Sequence, residues 1–342
     1  MSTECLCEFT NIFCTFVIMQ RPSEPHTPLV SVIIPNYNHA PFLRERISSV
    51  LGQEMDDMEV IILDDSSTDN SRDIIDSYRS HPKVSHIVCN DNNSGSTFAQ
   101  WKRGLRVARG RYVWIAESDD SADSSFLSSL VPLMEAHPEA VVAYCGSHII
   151  DARGEVIPGA DWDRMGRNAP AVEVMDSHTM IRRNLLMNNG IYNASMALFR
   201  REAAPEIDGR LTAMRFCGDW WFWSELAQRG CAIRLRERHN RFRQHDMKVS
   251  PAASKEGLTY SEGFCVINGM ADFLHLSPLQ RKVLAGRTLK RLRRFPSLSP
   301  ACDAEIRQGF ETLLHGDNWR HPLALMALYE IDKVLNFSHL YD

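Results

Sequence analysis

The sequence predicts an α/β fold, in which a mostly parallel sheet carries helices on both faces and a helical region follows it. Between residues 29 and 150, short apolar runs rich in β-branched residues alternate with amphipathic segments. That alternation is typical of a parallel sheet covered on both faces. The chain from about Pro251 onward has a helical pattern instead. We therefore expect one sheet-based domain and a C-terminal group of helices.

The composition is that of an ordinary globular protein. Of the 342 residues, 44% are hydrophobic and 24% are charged, and the net charge is -5. This balance excludes a disordered chain and gives no global electrostatic case for nucleic acid. The longest apolar run is residues 12–19, far short of the roughly 20 residues that cross a bilayer. Nine scattered cysteines favour reduced thiols, so we expect a cytoplasmic protein.

Five apolar runs are predicted strands: residues 29–34, 58–63, 84–89, 112–116 and 140–144. Helices are predicted between them: one begins near Pro41, and the others cover about 71–80, 97–108 and 126–136. Pro41 suits a first helical turn, and Gly110 is a suitable C-cap residue for the third helix. The alternation predicts four strand–helix units and a fifth strand.

Polar residues collect where these predicted strands end, at 36–38, 64–65, 93–95 and 117–120. Ligands of open parallel sheets bind beyond the carboxyl ends of the strands, so these positions indicate a site. The glycine-rich, Walker, H-E-x-x-H and G-x-S-x-G patterns of other enzyme classes do not occur in the sequence. Clustered aspartates suit a hard divalent cation that carries phosphates. A calcium loop over residues 65–76 is a rival, but it lacks the expected glycine and follows a strand.

The second half has a different pattern. A strand is predicted at residues 195–199, and Asp219 opens a predicted amphipathic helix that continues to Arg229 and stops at Gly230. An aspartate there is either a helix cap or a functional carboxylate. The residue types alone leave both interpretations open.

The motifs resemble those of family 2 glycosyltransferases, inverting nucleotide-sugar enzymes with the GT-A fold. The resemblance covers about residues 29–125 and follows the family's order and spacing. Its pieces are Val30-Ser-Val-Ile-Ile-Pro-Asn-Tyr-Asn38, Val50-Leu-Gly-Gln53, Asp65-Ser-Ser-Thr-Asp69, Asn93-Ser-Gly95, Ala108-Arg-Gly110 and Glu117-Ser-Asp-Asp120. The fold expected from the resemblance is therefore GT-A.

The resemblance implies a set of nucleotide-sugar contacts: Pro35, Asn36, Tyr37, Asp65, Asn93, Gly95, Lys102, Asp119 and Arg243. It implies Mg²⁺ or Mn²⁺ as cofactor, with ligands drawn from Glu117, Asp119, Asp120 and His245, of which Glu117 replaces the family's first aspartate. It also implies Asp219 as the catalytic base, although Gly218 stands where the family has a glutamate. A lone histidine is more often structural, so His245 as a ligand depends on the motif.

The resulting domain prediction is a tail at residues 1–28, a GT-A domain at 29–250 and a helical region at 251–342. Residues 29–150 are the expected nucleotide-sugar half and 151–250 the acceptor half. The expected partners are a nucleotide-diphosphate sugar, UDP-sugars first, and a saccharide or lipid-linked saccharide acceptor, in surface polysaccharide or glycolipid synthesis. The basic run from Arg281 to Arg294 suggests either a peripheral contact at the inner membrane face or a solvated helix face.

Two alternative functions remain at this point. A sugar nucleotidyltransferase shares the sheet architecture, but it would require a glycine-rich basic loop after the first strand, where this sequence has Pro35-Asn-Tyr-Asn38. A non-catalytic nucleotide-sugar-binding relative is the other alternative, because Glu117 and Gly218 depart from the family's pattern.

Overall fold

The structure is a computed structural model of the chain. It describes residues 26–163, 170–246, 257–293, 299–316 and 321–340. The predicted tail at 1–28 lies outside the described residues apart from its last three. The boundaries at 150 and 250 stay predictions.

The described residues contain nine strands, which form one sheet. They are β1 Val30–Asn36, β2 Met58–Asp64, β3 Val84–Cys89, β4 Tyr112–Ile115, β5 Ser121–Ala122, β6 Ala140–Ile150, β7 Val172–Met175, β8 Ala197–Arg200 and β9 Cys231–Arg243. The five strands predicted in the first half are present, and the last of them runs six residues further than predicted. The short β5, β7 and the long β9 were not predicted.

The strand order is β3-β2-β1-β4-β8-β6-β9-β5, and β7 pairs with β9. Strands β3, β2, β1 and β4 are parallel neighbours, with Val30 opposite both Met58 and Tyr112. Strand β8 is antiparallel to β4 and β6, whereas β6 and β9 are parallel. The predicted α/β class with a mostly parallel central sheet is confirmed.

Eleven α-helices are described: α1 Ala40–Leu51, α2 Ser71–Asp76, α3 Thr97–Val107, α4 Phe126–Ala136, α5 Ser177–Met180, α6 Gly209–Ala213, α7 Gly218–Ala227, α8 Leu258–Phe273, α9 Pro278–Leu292, α10 Pro300–Leu313 and α11 Pro322–Leu335. The predicted helices of the first half start within a residue of α1 to α4. The helix predicted from Asp219 starts one residue earlier, with Cys217 as its N-cap.

The core has two layers, because successive side chains of a strand point to opposite faces of the sheet. Val32 and Ile34 of β1 pack in one buried cluster with α1 and α4. Ile33 packs in the other, which contains α3, α7 and the C-terminal helices. The C-terminal helices therefore cover the α3 and α7 side of the sheet.

The basic run predicted on α9 is largely engaged within the molecule. Arg281 is 4% exposed and donates to the carbonyls of Leu276 and Ala271. Arg287 donates to the Met187 carbonyl at 2.8 Å, and Lys290 pairs with Glu330. These contacts use part of the basic run within the molecule, Arg294 lies outside the described residues, and the membrane contact stays a prediction. Among the described residues, no helix is both long and apolar enough to span a bilayer.

Candidate active site

The carboxyl ends of β1 and β2 are joined by side-chain hydrogen bonds. Asn36 Nδ2 donates to Asp64 Oδ1 at 2.9 Å, and the Asp65 amide donates to the Asn36 carbonyl at 2.9 Å. Asp64 is fully buried and also accepts from Ser67 and Arg72. Pro35 is buried in β1 and Tyr37 is 46% exposed just beyond it. Asn36 and Asp64 therefore fix the shape of this edge, and Tyr37 is open to a ligand.

Asp65 sits inside a ring of donors. Its Oδ1 accepts from Asn90 Nδ2 at 2.6 Å, the Ser94 amide at 2.9 Å and Gln100 Nε2 at 2.8 Å. Its Oδ2 accepts from Ser94 Oγ at 2.7 Å, which leaves room on that oxygen for another donor.

The remaining predicted nucleotide contacts lie next to Asp65 or beyond it. Asn93 Nδ2 donates to the Asp65 carbonyl at 2.9 Å, and Gly95 follows with a φ of 71°. Lys102 lies exposed on α3. The structure thus brings Asn93 and Gly95 to Asp65, whereas Lys102 has no contact that ties it to them among the described residues.

His39, Asp119 and His245 form the candidate metal centre. One ligand atom from each lies within 4.8 Å of the other two. His245 Nε2 is 3.0 Å from Asp119 Oδ2, and the rings of His39 and His245 are 5.6 Å apart. The three come from the start of α1, the turn after β4 and the residues that follow β9. The sequence analysis included Asp119 and His245 in this site and missed His39.

The ligand atoms of this centre suit a transition-metal ion. His245 is 3% exposed at its side chain, and its Nδ1 is buried without a hydrogen-bond partner among the described residues. A buried nitrogen without a partner is uncommon, and it fits a ring that takes a further ligand. Two imidazoles and one carboxylate favour Mn²⁺ over Mg²⁺, because Mg²⁺ prefers oxygen ligands.

Glu117 lies outside this trio. Its Oε1 accepts from Trp101 Nε1 at 2.9 Å, and its amide bonds to Ser195 Oγ at 3.0 Å. Burial, followed by the neighbouring charge of Asp119, raises the pKa of Glu117 to about 8. The structure places Glu117 in a buried contact with Trp101, and its predicted role as a metal ligand stays a prediction.

Asp120 is also placed apart from the predicted metal. It is fully buried, and it accepts from Asn193 Nδ2 at 2.8 Å, Ser195 Oγ at 2.7 Å and the Arg243 amide at 3.0 Å. Arg46 Nη2 is 4.0 Å away, and burial lowers the pKa of that arginine to about 10. Asp120 organises the turn behind Asp119, and its predicted role as a metal ligand stays a prediction.

Arg243 is bonded to the backbone around the acidic turn, and its predicted phosphate contact stays a prediction. The side chain is 1% exposed, and it donates to the Asp119 carbonyl at 2.7 Å and to Glu45 Oε2 at 2.5 Å. Its remaining nitrogen donates to the carbonyls of Asp151 and Ala152. All of its guanidinium nitrogens are therefore used to hold the backbone that carries Asp119.

Asp219 lies in the first turn of α7 and is not the N-cap. Its Oδ1 accepts from the Trp220 amide at 2.7 Å, and its Oδ2 accepts from Asn189 Nδ2 at 3.0 Å. Burial raises the pKa of Asp219 to about 7. A carboxylate with a pKa close to neutral is suited to accept a proton at physiological pH.

Gly218 is required by packing against α3. A Cβ at this position would lie 2.3 Å from the Phe98 ring, far inside normal contact distance. This contact explains why the glutamate of the resemblance is absent here. Of the aromatic residues that follow, Phe222 and Trp223 are core residues, whereas Trp220 and Trp221 are partly buried.

Helix α3 connects the parts of the site. Gln100 bonds to Asp65, Trp101 bonds to Glu117, and Phe98 packs on Gly218. The segment 189–193 makes a second connection, because Asn189 bonds to Asp219 and Asn193 bonds to Asp120. The Cα atoms of Asn189 and Asn193 lie at most about 14 Å apart, and this segment links Asp219 to the acidic turn through one hydrogen bond at each end.

A cleft of about 590 Å³ opens beside Asn189. Its walls come from β6, the segment around Trp162 and the loop at 183–192. Arg287 and Arg291 of α9 brace the loop by donating to the Met187 carbonyl at 2.8 and 3.4 Å. The C-terminal helices thereby support the loop that forms one wall of the cleft.

Three comparisons place these features among known proteins. The glycosyl transferase family 2 model matches residues 31–208, just over half of the chain. TuaG of Bacillus subtilis, a glycosyltransferase assigned provisionally to teichuronic acid biosynthesis, is 43% identical over 93 residues, which is 27% of this chain and 36% of TuaG. An uncharacterized glycosyltransferase of Haemophilus influenzae is 26% identical over 240 residues, 67% of this chain and 69% of that protein.

The fold is similar to that of S. aureus TarS 1-349 in complex with UDP-GlcNAc. The TM-score is 0.61 at 17% identity, over 91% of this chain and 90% of the TarS chain. The chain spans little more than a third of the length of several curated relatives that it matches. The match to the family model, together with the GT-A-like sheet and the acidic turn after β4, identifies the chain as a member of glycosyl transferase family 2.

Proposed function

We propose that the chain transfers a sugar from a nucleotide-diphosphate donor to an acceptor hydroxyl with inversion at the anomeric carbon. The observation that carries this proposal is Asp219, a carboxylate with a pKa of about 7 that the segment 189–193 links by hydrogen bonds to the acidic turn after β4. That turn also carries Asp119 of the His39, Asp119 and His245 centre. One base and one cation site are what single-displacement transfer needs.

The proposed step is a direct displacement. Asp219 accepts the proton of the acceptor hydroxyl, and the oxygen forms a bond to the anomeric carbon. The bond from that carbon to the diphosphate oxygen breaks, and the nucleoside diphosphate leaves with the electron pair. A divalent cation held by His39, Asp119 and His245 would neutralise charge on the diphosphate.

The donor that we propose is a UDP-sugar, bound along Tyr37, Asp65, Asn93 and Asp119. TarS, which has a similar fold, binds UDP-GlcNAc and UDP in crystals. Asp65 Oδ2 retains capacity for one more donor, which suits an N–H of a nucleobase. Because TuaG is assigned to teichuronic acid biosynthesis, we propose a saccharide acceptor in surface polysaccharide synthesis.

The test is a donor screen. The protein is incubated with Mn²⁺, saccharide acceptors and UDP-, GDP- or dTDP-sugars, and nucleotide release and product configuration are measured by NMR. We expect UDP release and a glycoside of configuration opposite to that of the donor. Retention of configuration would contradict the mechanism. In a parallel incubation with a nucleoside triphosphate and a sugar phosphate, pyrophosphate release would instead support the alternative nucleotidyltransferase function.

A further inference from the structure

We propose that the cleft beside α7 is a saccharide site in which Trp162 is the stacking platform and Asn189 is the positioning residue for Asp219. This inference rests on the proposed function, because it assigns the acceptor to a particular part of the molecule. It also predicts saccharide binding in the absence of any donor.

The lining of the cleft suits a polyhydroxylated ligand. Three aromatic side chains, Tyr144, Trp162 and Tyr192, face it, together with the side-chain amides of Asn184 and Asn189. Aromatic rings offer apolar faces, and amides offer both donors and acceptors. A cleft of 590 Å³ lies within the usual range of small-ligand sites, about 300–1,000 Å³.

Trp162 is the exposed aromatic of this group. It is 44% exposed, and its ring meets the Tyr192 ring edge-on at 5.7 Å and the Phe242 ring at 5.3 Å. The two neighbours hold the indole in place while part of it stays open. A fixed indole bordering a polar cleft is suited to stack on the apolar face of a sugar ring.

The charges of the cleft largely cancel. Asp161 and Asp163 both pair with Arg238, at 2.9 and 2.8 Å, and Glu173 pairs with Arg234. Of the cations that line the cleft, Arg183 has no partner among the described residues, and it is exposed. This balance favours a neutral or singly charged ligand over a multiply charged one.

Asn189 connects the cleft to Asp219. Its Nδ2 donates to Asp219 Oδ2 at 3.0 Å, whereas its Oδ1 is buried without a partner in the described part of the chain. Because Asn189 lines the cleft, this oxygen can accept a hydrogen bond from a hydroxyl group of a ligand there, while the amide nitrogen orients the Asp219 carboxylate.

The hydrogen bond from Asn189 lowers the pKa of Asp219, whereas the surroundings of this carboxylate raise it. Glu262 of α8 accepts from the amides of Arg215, Phe216 and Cys217, and its charge also raises the pKa of Asp219. The buried thiol of Cys217 has a raised pKa and is neutral. The hydrogen bond from Asn189 favours the charged form, so its loss raises the pKa of Asp219 further.

The first experiment tests the cleft without donor or turnover. Saturation-transfer NMR is recorded with maltose, cellobiose and N,N′-diacetylchitobiose on wild type, Trp162→Ala and the control Trp221→Ala, a partly buried tryptophan that does not line the cleft. We expect at least one disaccharide to bind wild type and the control, with about tenfold weaker binding to Trp162→Ala. Absence of binding to wild type, or unchanged binding to Trp162→Ala, overturns the assignment of the cleft.

The second experiment tests Asn189. The Asp219 carboxyl carbon is followed by ¹³C NMR through a pH titration, and its signal is assigned by its loss in Asp219→Asn. Asn189→Ala should move this titration, and the acidic limb of kcat, to higher pH, while Asn188→Ala, a neighbour in the same cleft, should not. Equal titrations in wild type and Asn189→Ala would refute the positioning role even if transfer occurs. If no donor is turned over while the titration shifts, the proposed function fails and the role of Asn189 stands.

Discussion

His245 Nε2 lies 3.0 Å from Asp119 Oδ2 although 126 residues separate them in the chain. The contact forms because β9 runs parallel to β6, and its last residue, Arg243, holds the Asp119 carbonyl at 2.7 Å. The long β9 therefore delivers a histidine to the turn that follows β4. The proposed metal centre depends on this pairing.

Mn²⁺ affinity should depend on this pair. His245→Ala or Asp119→Asn removes a ligand, so we expect Mn²⁺ binding in the presence of UDP to weaken by at least about tenfold. Isothermal titration calorimetry measures the effect. His239→Ala is the matched control, because His239 lies on β9 and bonds to Ser125 and Glu237 instead. Equal Mn²⁺ affinity in all variants would mean that the cluster is an ordinary ion pair.

Asp120→Asn should destabilise the fold even with metal removed. The change leaves the buried Arg46 without its nearest carboxylate and disturbs the bonds to Asn193 and Ser195. Breaking a buried charged pair typically costs about 3–5 kcal/mol. Urea unfolding in EDTA should show a loss of that size. Asp123→Asn, which breaks a more exposed pair with Arg241, should cost about 1 kcal/mol or less. A stable Asp120→Asn that has lost only metal affinity would instead support the ligand role.

Gly218→Ala should destabilise the protein by about 1–3 kcal/mol, the usual cost of overpacking. The added methyl would meet the Phe98 ring at 2.3 Å. Gly209→Ala, at the start of α6, meets nothing within 4 Å and serves as control. Thermal melting compares the two. An unchanged melting temperature for Gly218→Ala would show that α3 and α7 have room to separate.

The stability of the protein should rise as the pH falls from about 8 towards 5, through the contribution of Asp219. The folded-state pKa of about 7 lies above the unfolded value of about 3.9, so the folded state binds the proton more tightly. The carboxylate is destabilising above both values, and protonation relieves this cost. Asp219→Asn should therefore melt at an equal or higher temperature than wild type at pH 8, and this difference should shrink at pH 5. A lower melting temperature at pH 8 would mean that the carboxylate stabilises the fold.

Strands β1, β2 and β4 were predictable from the sequence because they are buried along their whole length, whereas β3 is only partly buried. β1 and β2 are mostly apolar, with one polar residue, Ser31 or Glu59, inside each run, and each ends at a polar cluster. β9 was missed because it contains five arginines and its burial is mixed, a pattern that periodicity does not recognise. β5 has two residues and no pattern at all.

The location of the site could be predicted from the sequence, but the role of each residue in it could be predicted only in part. Spacing brings Glu117, Asp119 and Asp120 to one turn, but a sequence does not say which side chain faces outward. The structure turns Asp120 inward to Arg46 and Ser195, and leaves Asp119 with His245. His39 was missed, although a histidine directly after the end of β1 stands at the same edge as the acidic clusters and was a usable signal.

The most direct test of the account is sugar transfer by Asp219→Asn, measured beside donor affinity. Asparagine is nearly isosteric and can still accept from the Trp220 amide, so folding and UDP-sugar binding should stay close to wild type. Without a proton acceptor, the transfer rate should fall by about 10²–10⁴-fold, the usual scale of general-base catalysis. Near-normal transfer by this variant would contradict the assignment of Asp219 as the base.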